Sequence, residues 1–166
     1  MGLVDTQDLI KKAHSLTRAE FVAKHPSLYL AIAKAGDQPA IGFETAVWSN
    51  YGGKIKAVGA KVDYELIEVA KAPGNPYPER ISIGRARNCD VVLRDPSVSK
   101  LHAHFRVRPN GKLDLVDLDS QNGTSLNGRT LAANLPECID VGDSIVFGAL
   151  TAKLIDSDSL FDILQE

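Results

Sequence analysis

Residues 80–128 read RISIGRARNCDVVLRDPSVSKLHAHFRVRPNGKLDLVDLDSQNGTSLNG. Apolar runs of strand length, Arg80 to Gly84, Asp90 to Leu93, Ala103 to Val107 and Leu113 to Leu118, are separated by polar clusters. The breaks carry Asp95-Pro96, Pro109-Asn110-Gly111, Asn122-Gly123 and Asn127-Gly128, sequences that supply the backbone angles of tight turns. Beyond Val141-Gly142-Asp143 the series continues with Ser144 to Phe147 and Thr151 to Ile155. No helical periodicity intervenes, so the pattern predicts a mainly β fold, an antiparallel sandwich or barrel. Polar clusters between such strands are loops, where a rigid sheet positions binding residues.

Composition narrows the function classes. The chain has 166 residues, 44% hydrophobic and 24% charged, enough for one good domain and a smaller appendage, and too apolar for disorder. A net charge of -2 and a pI near 6.1 oppose a nucleic-acid partner, which needs a basic surface to displace counterions. No apolar run approaches the roughly 18 residues of a membrane span, so membrane insertion is not expected. The charge is unevenly spread, however. Arg80, Arg85, Arg87, Arg94, Lys100, Arg106 and Arg108 face only Asp90 and Asp95 in that interval, giving +5 and leaving -7 for the remainder. A basic island in an acidic chain implies a local anionic ligand. Cys89 and Cys138 form no metal-ligand spacing; with no secretory signal they are expected as small core residues in a reducing, cytoplasmic setting.

Ahead of the β pattern, Leu9, Ile10, Ala13 and Leu16 fall on one helical face, with Asp5 or Thr6 as cap. Thr17-Arg18-Ala19-Glu20 has capping-box spacing and predicts a second short helix, Arg18 to Lys24, ending before Pro26. Leu28 to Ala33 reads as a strand or the end of a helical hairpin, the strand being preferred. The segment Ile41 to Tyr51, with Phe43, Val47 and Trp48, has no clear period, and Lys54 to Lys61 lies among turn-forming glycines. Val62 to Ala70 alternates as a strand but is apolar on both faces, and Asp156 to Glu166 predicts an amphipathic tail helix through Leu160, Phe161, Ile163 and Leu164. The expected organisation is an extension of mixed α/β character over 1–60, a sandwich over 62–155 and a tail over 156–166. The extension either docks on the sandwich or serves as a separate effector-binding element.

Gly84-Arg85, Ser99-x-x-His102 and Asp117-Leu118-x-Ser120-x-Asn122-Gly123-Thr124-x-Leu126-Asn127-Gly128 together resemble the signature clusters of the forkhead-associated (FHA) domain family. The resemblance covers about residues 62–155. It implies an eleven-stranded β-sandwich whose loops at one end bind phosphothreonine peptides. On that reading Arg85, Ser99 and Lys100 face the phosphate, Asn122 holds the peptide main chain and Gln121 lines the site. Gly84, His102, Gly123 and Asn127 are structural, Gly84 by letting the backbone turn sharply and His102 by bracing a loop. Arg87, Asn88 and Arg94 stand in loops that could meet flanking residues. Lys100 departs from the arginine often found at its position, keeping the charge but lacking the bidentate fork.

The residue chemistry fits those roles. A phosphate monoester carries about -1.5 to -2 charges and three acceptor oxygens, which suit a guanidinium fork, while a carboxamide offers both donors and an acceptor to a peptide backbone. The partners that the resemblance implies are a phosphothreonine-containing protein and an upstream Ser/Thr kinase, with the chain acting as an adaptor or signalling module. The alternative is a phosphate-independent assembly module on the same fold. No cofactor or metal is expected, and no enzyme activity, because no nucleophile stands with a base and an orienting carboxylate in one motif.

Overall fold

A computed structural model of the chain describes residues 5–25, 27–33 and 64–165. The aperiodic segment Ile41 to Tyr51 and the turn-rich segment Lys54 to Lys61 lie outside these residues.

Eleven strands among the described residues form two sheets. They are β1 (Leu28–Ala33), β2 (Tyr64–Val69), β3 (Arg80–Gly84), β4 (Val91–Val92), β5 (Ala103–Val107), β6 (Leu113–Asp117), β7 (Thr124–Leu126), β8 (Arg129–Thr130), β9 (Glu137–Ile139), β10 (Ser144–Phe147) and β11 (Leu150–Ile155). One sheet runs β2-β1-β11-β10-β7-β8 and the other β4-β3-β5-β6-β9. All pairings are antiparallel except β3 with β4, where Ile83 meets Val91 and Gly84 meets Val92. The mainly β sandwich is the fold that the turn-punctuated strands require. Strands β7, β8 and β9, only two or three residues long, escaped the period-two signal.

Strand alternation divides the apolar residues between two cores. Ile81, Ile83, Ala103, Phe105, Leu113 and Leu115 from one sheet meet Leu30, Ile32, Ile67, Ile145, Phe147 and Leu154 from the other. The opposite face of β1, β2 and β11 presents Tyr29, Ala31, Leu66 and Ile155 to a second cluster. Three helices supply the rest of it: α1 (Thr6–Ser15) gives Leu9 and Ala13, α2 (Arg18–Lys24) gives Phe21, and α3 (Ser157–Gln165) gives Leu160, Phe161 and Leu164. This layer explains why Val62 to Ala70 is apolar on both faces: Ile67 and Val69 enter the sandwich and Leu66 meets the helices.

Local chemistry sets the helix ends. Asp5 caps α1 by accepting from the Gln7 and Asp8 amides at 3.0 and 3.3 Å, and Thr17 with Glu20 forms the expected capping box on α2. Arg18 then joins α2 to α3 through Asp158 and Asp162 and lies over the Phe161 ring. The sheet reaches back before residue 62, since β1 lies between β2 and β11 with Leu30 opposite both Ile67 and Leu154. Cys89 is buried as expected, but Cys138 is exposed. It lies on the edge strand β9, where Ile139 turns inward and the alternation sends Cys138 out. No helix among the described residues is long and apolar enough to cross a membrane.

Candidate functional site

Four loops meet at one end of the sandwich, those after β3, after β4, after β6 and between β10 and β11. Backbone bonds draw them together: the Arg85 amide donates to the Ser99 carbonyl at 2.9 Å, Ala86 to Lys100 at 3.0 Å and Gly148 to Gly123 at 3.0 Å. Close approach of the first two loops depends on Gly84. A Cβ there would overlap the Lys100 carbonyl oxygen and lie 2.8 Å from its carbon and 3.0 Å from Leu101 Cα. Gly84 is not among the positive-φ glycines, so the expected sharp turn gives way to a different reason for glycine, the crossing backbone at its side.

The gathered side chains keep distinct capacities. The Arg85 Nε donates to the Val98 carbonyl at 3.0 Å, which fixes the guanidinium plane and leaves its two terminal nitrogens without a partner among the described residues. Ser99 Oγ accepts from the Gln121 amide at 3.1 Å, so its hydroxyl proton remains available to an anion. Asn122 Nδ2 donates to the Ser97 carbonyl at 2.8 Å, orienting the carboxamide while its oxygen and second N–H have no partner among the described residues. Lys100 contributes its carbonyl to the loop contacts and an exposed side chain to solvent; Gln121 is exposed beside it. The five residues expected to meet a ligand thus lie on loops bonded to one another.

His102 sits beneath them, fully buried. Its Nδ1 accepts from the Ser99 amide at 3.0 Å, so the neutral ring carries its proton on Nε2, facing the Gly123 carbonyl at 3.0 Å and Thr124 Oγ1 at 3.1 Å. Thr124 passes its own proton to Asp117 Oδ1 at 2.6 Å, and Ser120 Oγ donates to the same oxygen at 2.6 Å. Burial opposes the charge on Asp117, but the bonds from Ser120 and Thr124 outweigh it and hold its carboxyl below the usual range. This buried chain braces the loop after β4 against the loop after β6. Neither imidazole nitrogen reaches the Ser99 hydroxyl, so Ser99 and His102 are not arranged as nucleophile and base.

Asn127 lies elsewhere. With Gly128 it makes a turn with φ of 49 and 83°, and its side chain bonds Asp143 Oδ1 and the Ser144 amide. It stands three residues beyond Thr124, about 10 Å along the strand, and closes a hairpin away from the gathered loops. Gly123, at φ 80°, presents one carbonyl to both His102 and the Gly148 amide.

Two supports were not singled out from the residues. Ser97 holds Asn122 through its carbonyl, while its hydroxyl donates to Asp95 at 2.6 Å and accepts from the Ala149 amide at 2.9 Å. Gly148, at φ 63°, passes so near that a Cβ would lie 2.5 Å from the Ser97 oxygen. Asp95-x-Ser97 has the spacing of a side-chain-capped turn, a local signal for part of this arrangement. The contact with Gly148 has no such signal.

The neutral histidines predict an acid response. Burial lowers the His102 pKa against the opposing pull of Gly123 and Asp117; burial also lowers those of His104 and His25. The unfolded chain then binds more protons just below its own histidine pKa of about 6.5, so stability is complete above that pH and falls on acidification. Urea unfolding at pH 7.5 and 5 is expected to show the lower stability at pH 5. Equal midpoints and slopes at the two pH values would contradict neutral burial.

Comparison with known proteins agrees with this architecture. The FHA domain family model matches residues 81–148. The DNA damage response protein kinase DUN1 of Saccharomyces cerevisiae is 38% identical over 73 residues, covering 40% of this chain and 14% of that protein. A protein phosphatase 1 regulatory inhibitor subunit PPP1R8 homolog of Arabidopsis thaliana is 30% identical over 140 residues, covering 78% of this chain and 37% of that protein. The chain therefore spans well under two thirds of either relative. Among solved structures, the N-terminal FHA domain of Rad53p from S. cerevisiae, in complex with a phosphothreonine peptide, superposes with a TM-score of 0.51 at 19% identity over 81% of this chain and 97% of that one. At that identity the likeness bears on the fold. With the two sheets, the motif-bearing loops and the matched segment in agreement, residues 81–148 of this chain belong to the FHA domain family.

Proposed function

We propose that the chain is a phosphothreonine-peptide-binding module, acting as an adaptor or signalling element downstream of a Ser/Thr kinase. The observation that carries this reading is the bonding of Arg85, Ser99 and Lys100 into one loop cluster with their phosphate-binding capacity unspent, beside Asn122 held by Ser97. In it the Arg85 fork and the Lys100 ammonium meet the phosphate oxygens, and the Ser99 hydroxyl donates a third bond. Asn122 takes the peptide main chain with its free carboxamide atoms, and Gln121 lines the approach. Membership of the FHA family supports the choice of phosphothreonine.

Magnitudes require the whole cluster. Charge-assisted hydrogen bonds contribute about 1.5 to 3 kcal/mol each, against an association cost of at least about 4 kcal/mol. Phosphate contacts alone therefore give weak binding, and micromolar affinity, about -8 kcal/mol, needs the main-chain bonds of Asn122 and the flanking residues. The module is read as non-catalytic, since His102 is committed to structural bonds.

Isothermal titration with three peptides of one sequence tests the reading. The phosphothreonine form is expected to bind in the micromolar range, with the phosphoserine and unmodified forms at least about tenfold weaker. Equal binding of all three defeats it.

A further inference from the structure

The cations of the basic island divide into two groups. Arg108 grips buried Asp114 through Nε at 2.8 Å and a terminal nitrogen at 2.6 Å, with Arg106 at 3.7 Å from the same carboxylate. Arg80 lies 3.8 Å from Glu79 and over the Tyr77 ring. Arg85, Arg87, Arg94 and Lys100 are exposed and have no carboxylate partner among the described residues. Every unpaired cation of the island thus lies in the loops of the candidate site.

Their positions follow from the backbone. The Cys89 amide bonds the Ala86 carbonyl at 3.1 Å, making a turn with Arg87 and Asn88 at its tip. Both ends of that turn are fastened to Lys100, through the Ala86 amide at 3.0 Å and the Cys89 thiol at 3.3 Å. On the other flank the Leu93 amide bonds the Gly84 carbonyl at 2.9 Å, so Arg94 leaves β4 beside Arg85. Nearby carboxylates offer little neutralisation. Asp90 is buried and accepts from Ala72, Asn75 and twice from Ser82, while Asp95 is turned to the Ser97 amide and hydroxyl. Exposed Asp119 belongs to the facing loop after β6.

A phosphate dianion neutralises about two charges, which Arg85 and Lys100 supply on the reading above. Arg87 and Arg94 remain as two further cations on the same rim. We propose that this module selects phosphopeptides whose residues flanking the phosphothreonine are acidic, with Arg87 and Arg94 as the specificity-determining residues. This inference rests on the phosphopeptide reading of the site. Asp119 adds a direction: the acidic flank lies along the loops after β3 and β4, and an acidic side chain is disfavoured beside the loop after β6.

The test compares one phosphothreonine peptide in three forms, flanked by aspartates, by serines or by lysines, at 50 mM and 500 mM salt. Exposed charge pairs are individually weak, so two of them are expected to give the acidic form about a three- to tenfold advantage over the serine form at low salt. Screening should reduce it to under about twofold at high salt. The double variant R87Q/R94Q is expected to lose the advantage, its affinity for the acidic-flanked phosphopeptide falling to that for the serine-flanked one. The variant K112Q, with its change in the hairpin at the opposite end of the sandwich, is expected to keep it. Equal binding of acidic and serine flanks by the unaltered protein, or an unchanged preference in the double variant, overturns the inference while leaving the phosphopeptide reading intact. Failure of all three phosphopeptides to bind overturns both.

Discussion

Gly84→Ala is expected to damage stability and ligand binding together, although the residue offers a ligand no side chain. The added carbon would overlap the Lys100 carbonyl oxygen and stand 2.8 Å from its carbon. That carbonyl accepts from both Ala86 and Cys89, and the preceding Ser99 carbonyl accepts from Arg85, so the crossing segment cannot withdraw without breaking bonds on each side. Backbone meets the new carbon, and no flexible side-chain end can swing away. Forced insertion of this kind costs about 1 to 3 kcal/mol, and separation of the loops should weaken phosphopeptide binding at least about tenfold. Urea unfolding and titration on the same preparation measure both effects. Gly111→Ala is the control: at φ 81° with nothing within 4 Å, it bears only the left-handed backbone penalty of about 1 kcal/mol. Equal behaviour of the two variants would show that the crossing does not require glycine.

Arg85→Ala should separate the two consequences. The side chain is exposed, and its one bond among the described residues runs from Nε to the Val98 carbonyl, so unfolding free energy should change by less than about 0.5 kcal/mol, as for ordinary surface sites. Binding should fall much further. Two charge-assisted bonds to phosphate, at about 1.5 to 3 kcal/mol each, predict a loss of at least about a hundredfold. Arg85→Lys should recover part of it, because charge returns without the planar fork. Calorimetric titration against a phosphothreonine peptide, with thermal unfolding alongside, distinguishes the outcomes. Undiminished partner capture by the alanine variant would favour the phosphate-independent assembly module.

Different physical ranges explain why some features were legible in the chain and others were not. The capping box at Thr17 and Glu20, the turn at Asn127-Gly128 and the alternating strands express local stereochemistry, within a few residues of each other. The site motifs were legible because Arg85, Ser99 and Asn122 carry unusual chemistry in loop sequences. Leu28 to Ala33 shows the limit: apolar on both faces, it reads as a buried segment whichever element it forms. Only its pairing with β2 and β11 puts it within the sheet. Cys138 shows the same limit in reverse, since a small apolar residue faces solvent once the register of an edge strand assigns it outward.

By itself the amino-acid order determined the strand and turn chemistry, the helix starts and the identities of the anion-seeking side chains, because each follows from covalent geometry and near neighbours. Tertiary structure alone decided that Gly84 must yield space to Lys100 and that Ser97, 51 residues before Gly148, shares a contact with it. It also decided which arginines of the basic island find carboxylates among the described residues and which do not. Those outcomes depend on distances between segments remote along the chain, and such distances exist only after the two sheets have packed.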